Sequence, residues 1–196
     1  MKRNGSLNAV FVVLGVVGLL LVIVFTSFIG TYNNLQRLDE TVNSSWSQVE
    51  NQLQRRGDLI PNLVNTVKGY AKHEKDIFIS VAESRSKLSG AIKSGNMKQI
   101  SKAEGEMSGA LSRLLAISEN YPQLKADRVF INLQDELAGT ENRIAVARKD
   151  FNDNVKVINS QVRVFPTNII AGMIGITKRD YFEAEESKKS APNVQF

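Results

Sequence analysis

From Asn4 to Gln36 the chain carries no charged side chain, and within that window the run LNAVFVVLGVVGLLLVIVFTSFI (Leu7 to Ile29) is almost wholly apolar. A helix needs about 20 apolar residues to cross a hydrocarbon core, so this run is long enough to do so. The apolar part of a cleavable signal peptide is shorter, about 7–15 residues, and no small-x-small cleavage pattern follows here. The chain has no cysteine, which excludes a lipid anchor on a thiol, a disulfide framework and a thiolate metal site. Residues 7–29 are therefore expected to remain as a single transmembrane helix, with the lipid bilayer as a partner from Leu7 to Ile29.

Charge says less about other partners. There are 25 basic and 20 acidic side chains, and with Lys2 and Arg3 set aside the excess falls from five to three, spread along the chain. Such a surface is that of solvated helices, and it argues against nucleic acid as a partner. Lys2 and Arg3 precede the span, whereas Arg37 is the one basic residue in the twenty that follow Ile29. The positive-inside tendency then favours a cytoplasmic N-terminus, with the larger part of the chain outside the cytoplasm.

Beyond the span, helical periodicity governs. Leu35, Leu38, Val42, Trp46, Val49 and Leu53 recur at steps of three and four, and only Gly30 separates them from the apolar run. A second stripe runs through Leu63, Val67, Tyr70, Ile77, Val81, Leu88 and Ile92, ending at KSGN. A third carries Met97, Ile100, Met107, Leu111 and Leu114 up to Pro122. The fourth is the longest, from Val129 through Leu137, Ile144, Phe151 and Ile158 to Val162. Short connections make successive helices antiparallel. The expected fold is all-α: an N-terminal transmembrane helix continuing into an elongated antiparallel up-and-down helical bundle. The expected organisation is a short basic N-terminus over 1–6, the span over 7–29, the bundle over 30–165, and an apolar segment with a loosely held tail over 166–196.

Within that frame, QRRGDLIP reads as a helix junction. Arg55 and Arg56 would end the first helix, Gly57 would supply the left-handed exit, Asp58 would cap the second helix and Pro61 would occupy its first turn. An ordered junction does not suit an adhesion role for Arg56-Gly57-Asp58. NIIAGMIGI (Asn168 to Ile176) is too apolar for water and too short to span, so it should pack on the bundle or rest on the membrane surface.

The order and length of three runs carry a resemblance to a known family. They are YNNLQRLDETVNSSWSQVENQLQRRGDLIPNLVNTVKGYAKHE, YPQLKADRVFINLQDELAGTENRIAVARKDFNDNV and FPTNIIAGMIGITKRDYFEAEE. Together they resemble the LemA family of bacterial membrane proteins over nearly the whole chain beyond the span. The resemblance implies a membrane helix followed by a helical bundle with no established enzymatic activity. It also implies a short external N-terminus and a cytoplasmic domain, the reverse of the orientation that the charges favour.

Reactive chemistry is sparse. His73 and Glu74 adjoin, but a metalloprotease helix needs His-Glu-x-x-His and position 77 is Ile77; one histidine cannot build a paired Glu-x-x-His di-iron site either. No Gly-x-Ser-x-Gly turn presents a nucleophile. Asp150 and Asp153 lie on a helical stripe, not in a glycine-bearing calcium loop. Glu74 falls on the apolar stripe, where a buried carboxylate would need Arg143 or Arg148 as its counter-charge. Arg55, Arg56, Asp58, His73, Glu74, Arg143 and Arg148 are thus candidate structural or partner-contact residues, with no catalytic residue, metal or cofactor among the expectations.

The reading from sequence is a membrane-anchored, non-enzymatic scaffold or adaptor for membrane or envelope proteins, none of which a motif identifies. Two alternatives stand beside it: an enzyme with an unfamiliar site near His73 and Glu74, and a self-assembling membrane-shaping protein. A homo-oligomer has the pair Thr26-x-x-x-Gly30 in its favour.

Overall fold

The apolar run and the stripe after it form one helix. In the computed structural model, which describes the backbone of residues 4–183 and side chains from residue 11, α1 runs from Asn4 to Tyr70. It is followed by α2 (Lys75–Ser94), α3 (Met97–Ala116), a 3-10 turn (Ile117–Asn120), the single turn α4 (Pro122–Lys125), α5 (Arg128–Gln161) and the short α6 (Thr167–Met173). No strand occurs among the described residues. The chain is all-α, a long apolar N-terminal helix leading into a helical bundle. The loosely held tail expected at the C-terminus, and Lys2 and Arg3 at the other end, lie outside the described residues.

The chain divides into two compact units. One takes residues 4–42 and 156–179 of the described part, the other 43–155 and 180–183.

In the first unit, every side chain from 11 to 27 is exposed, among them Phe11 at 68% and Phe25 at 64%. Among the described residues α1 alone is long and apolar enough to cross a membrane. Burial begins at its far end. Leu35 forms a small core with Ile170 and Ala171 of α6, joined by Phe28, Val162, Ile174 and Ile176. Of the two options for NIIAGMIGI, one face is thus packed on helices. Its helix ends in a Schellman turn, where Gly175 takes φ 75° and the Ile176 N–H reaches the Ala171 carbonyl at 3.0 Å. After it, the Asn159 side chain holds both backbone groups of Arg179, donating to its carbonyl at 2.9 Å and accepting from its N–H at 2.8 Å. The Arg179 guanidinium pairs with Asp39 at 2.7 Å.

In the second unit the topology follows from which residues meet. Trp46 of α1 stacks edge-on against Phe151 of α5, Arg55 reaches Glu136, and the Tyr70 hydroxyl donates to Asp127. As numbers rise along α1 they fall along α5, so the two are antiparallel. The same holds for α2 and α3, where Ser80 meets Arg113 and Lys87 meets Glu106. It holds for α1 and α2, where Arg85 meets Gly57 and Lys68 lies over the Phe78 ring. The α2–α3 turn is the expected one: Gly95 exits in the left-handed region at φ 66°, and the Asn96 side chain caps α3 by accepting from the Gln99 N–H at 3.1 Å. Phe182, beyond α6 in sequence, is 1% exposed, and the Asn152 amide clasps its backbone as Asn159 does that of Arg179.

The expected junction at Arg56-Gly57-Asp58 does not form. α1 continues through all three residues and through Pro61, and the break falls at residues 71–74 instead. The buried row Leu53, Arg56, Ile60, Leu63 and Val67 explains this: its steps of three and four remain in phase across the glycine and the proline. Pro61 has no N–H for the Gly57 carbonyl four residues back, the usual cost of proline inside a helix. Arg85 of α2 supplies the missing donor, its Nε lying 2.9 Å from that oxygen.

Candidate functional site

Arg56 and Glu104 are the most deeply buried charges among the described residues, each at 5% exposure. The place of Arg56 on the apolar face of α1 aims the guanidinium between α3 and α5. Nη1 donates to Glu104 Oε1 at 3.0 Å and lies 2.8 Å from Glu141 Oε2, while Nη2 donates to Ser108 Oγ at 2.9 Å. Ser108 Oγ in turn donates a hydrogen bond to Glu104 Oε1 at 3.1 Å. Glu104 is 5% exposed, whereas the Glu141 side chain remains 46% exposed at the edge. One cation thus joins carboxylates from two helices to a third helix, with a serine closing the ring.

Chemically this arrangement is a tie. The Ser108 hydroxyl donates to the Glu104 carboxylate and accepts from the Arg56 guanidinium, so both of its hydrogen-bonding roles are spent inside the tie. Arg56 donates from both terminal nitrogens and, at 5% exposure, stands out of reach of a solute. Breaking such a buried pair from one side leaves an uncompensated charge, which ties α1 energetically to α3 and α5.

The other candidates disperse over the surface. Arg55 is exposed and bonds to Glu136 at 3.2 Å. Asp58 is exposed mid-helix and caps nothing. His73 lies exposed in the turn after α1. Glu74 is the residue before α2 and only half-buried, its N–H donating to the Ala71 carbonyl at 3.3 Å, so it is not the core carboxylate expected of it. The reason is the break at 71–74, which takes it off the helical stripe. Arg143 is exposed, and Arg148 stands 5.8 Å from the centre of the Phe182 ring, so neither serves as a counter-charge for Glu74. Among the described residues no three His, Cys, Asp or Glu side chains gather as metal ligands would.

Beside the turn, Tyr70 donates to Asp127 Oδ2 at 2.6 Å while Asp127 Oδ1 caps α5 by accepting from the N–H groups of Val129 and Phe130. The bond from Tyr70 is the leading cause that holds the Asp127 carboxyl below its ordinary pKa, and the same bond is the leading cause that raises the phenol.

An open groove of about 820 Å³ runs between α1 and α2, floored by Leu53, Gly57 and Leu88. Glu50, Asp58, Arg85 and Lys93 line it with charges of both signs.

Glu104, Ser108, Glu141 and Arg85 were not among the residues singled out from the sequence. Glu104 had a readable signal, standing four after Ile100 and three before Met107 on the α3 stripe. Glu141 and Arg85 had none, because their partners are set by how the helices align.

Fold and site together define a class: all-helical bundle proteins led by a long apolar N-terminal helix, whose buried charge joins helix to helix. The LemA family model matches residues 45–196, and the chain belongs to the LemA family. Magnetosome protein MamQ 2 of Paramagnetospirillum magneticum is 27% identical over 192 residues, covering 86% of this chain and 71% of its own. Magnetosome protein MamQ of Magnetospirillum gryphiswaldense is 26% identical over 204 residues, covering 92% and 75%. Protein LemA of Metamycoplasma hominis is 23% identical over 163 residues, covering 83% and 73%.

Proposed function

We propose that this LemA-family protein is a non-enzymatic, membrane-anchored scaffold or adaptor, held in the bilayer by residues 7–29 and acting through contacts made by its bundle. One observation carries the reading: the deeply buried ionic chemistry is spent on joining helices, while the concavity between α1 and α2 is an open, mixed-charge groove. An enclosed pocket with a few convergent polar groups is what small-molecule chemistry asks for. An open groove with charges of both signs along its sides suits a helix or extended segment of another protein. The relatives support the reading in that their names refer to a family or to the magnetosome and not to a reaction.

Affinity purification of the full chain from gently solubilised native membranes tests it. Reversing the groove charges with Asp58→Lys and Lys93→Glu should remove specific co-purifying proteins and leave the melting temperature nearly unchanged. Identical partner profiles for wild type and variant would refute the groove as the contact surface. Loss of a catalytic activity in His73→Ala or Glu74→Ala, with partners retained, would favour an enzyme instead.

A further inference from the structure

We propose that the outer face of α6 is a membrane-contact element, bedded in the headgroup–acyl boundary of the bilayer. This rests on the reading that residues 7–29 cross that bilayer.

The position comes from the packing in the first unit. The inner face of α6, Ile170 and Ala171, closes on Leu35, with Phe28 packed against the same core. Phe28 belongs to the last turn of the apolar run, and Leu35 lies seven residues on, about 10 Å along the helix. α6 therefore sits beside α1 where the run leaves the hydrocarbon, the depth at which interfacial helices lie.

The outer face is apolar and uncovered. Ile169 and Met173, four residues apart on one side of α6, are 54% and 71% exposed, and Val164 and Phe165 just before the helix are 56% and 75% exposed. The inner side chains are already committed to the core, so the outer ones are surplus to the packing of this unit. Exposed cations flank the patch in sequence, Arg163 before it and Lys178 after it, and suit anionic headgroups. The Schellman turn at Gly175 and the clasp of Asn159 on Arg179 hold the segment in this pose. Seven residues alone would bind a membrane weakly, but a span in the same unit keeps α6 at the surface, so the local concentration of lipid is high.

Spin-label depth measurement on the full chain in vesicles of phosphatidylethanolamine and phosphatidylglycerol tests this. The sequence has no cysteine, so single labels go in without altering other positions. Labels at Leu20→Cys, Ile169→Cys, Met173→Cys and Lys149→Cys are compared for relaxation by oxygen, which favours lipid, and by an aqueous nickel chelate. The expected oxygen-to-nickel ratio is highest at position 20, several-fold above that of position 149 at positions 169 and 173, and lowest at 149. Ratios at 169 and 173 equal to that at 149 would overturn the proposal and leave the span intact. Shielding of both positions from both reagents would overturn it in favour of a protein covering, such as a second copy. A water-like ratio at position 20 would overturn the span, and the proposal with it.

Discussion

Replacing Glu104 by alanine would leave the Arg56 guanidinium buried with a half-exposed carboxylate as its one remaining counter-charge. Breaking a buried pair from one side costs about 3–5 kcal/mol, whereas replacing both partners by apolar groups of similar size often costs far less. Glu104→Ala should therefore melt well below wild type, and Arg56→Met with Glu104→Leu should recover much of the loss. Circular dichroism melts of the full chain in detergent read both outcomes. The Tyr70–Asp127 pair adds a pH dependence. Asp127 is lowered from 3.8, so its contribution is present above that value and fades as pH falls through the lower folded value. Tyr70 is raised from 10.0, so its contribution is intact below that value and fades as pH rises through the higher folded one. The melting-temperature gap between wild type and Tyr70→Phe should thus stay level through neutral pH and narrow at both extremes. A gap that peaks at either extreme would contradict the assignment.

At the scale of the element, the coupling of Pro61 to Arg85 explains how α1 passes a helix breaker. In Pro61→Ala the restored N–H competes for the Gly57 carbonyl, so Arg85→Ala should cost less in that background than in wild type. A double-mutant cycle should return a coupling on the order of 1 kcal/mol, and zero coupling would mean that the carbonyl is satisfied some other way. The same residues show what could be read beforehand. α5 was legible nearly to its ends, because its stripe keeps phase from Leu137 to Ile158 with no glycine or proline in conflict except Gly139. α1 was misread at residue 57 because Gly57 and Pro61 are strong local signals, and their override depends on a side chain from α2. Arg56 was noticed for its charge and assigned to a helix end; its true place, on the buried row between Leu53 and Ile60, requires counting an arginine as a core residue. Its partners on α3 and α5 depend on helix alignment, which periodicity within one helix does not supply.

At the scale of the whole molecule, the proposed role couples a membrane anchor to a bundle that offers a surface. We propose an orientation with the N-terminus in the cytoplasm and the bundle outside it, because Lys2 and Arg3 precede the span and Arg37 is the one basic residue in the twenty after it. Protease added to intact spheroplasts should then digest the bundle; protection until lysis would establish the opposite orientation. The central claim, action by contact through the bundle, is tested most directly by position-resolved photo-crosslinking of the full chain in living cells. A photoreactive amino acid is placed in turn at Ser86 and Ser89 in the α1–α2 groove and at Lys149 and Arg143 on α5. The account predicts discrete protein adducts from the groove positions and few or none from α5. Absence of adducts at both groove positions, or the same adducts from all four, would contradict it.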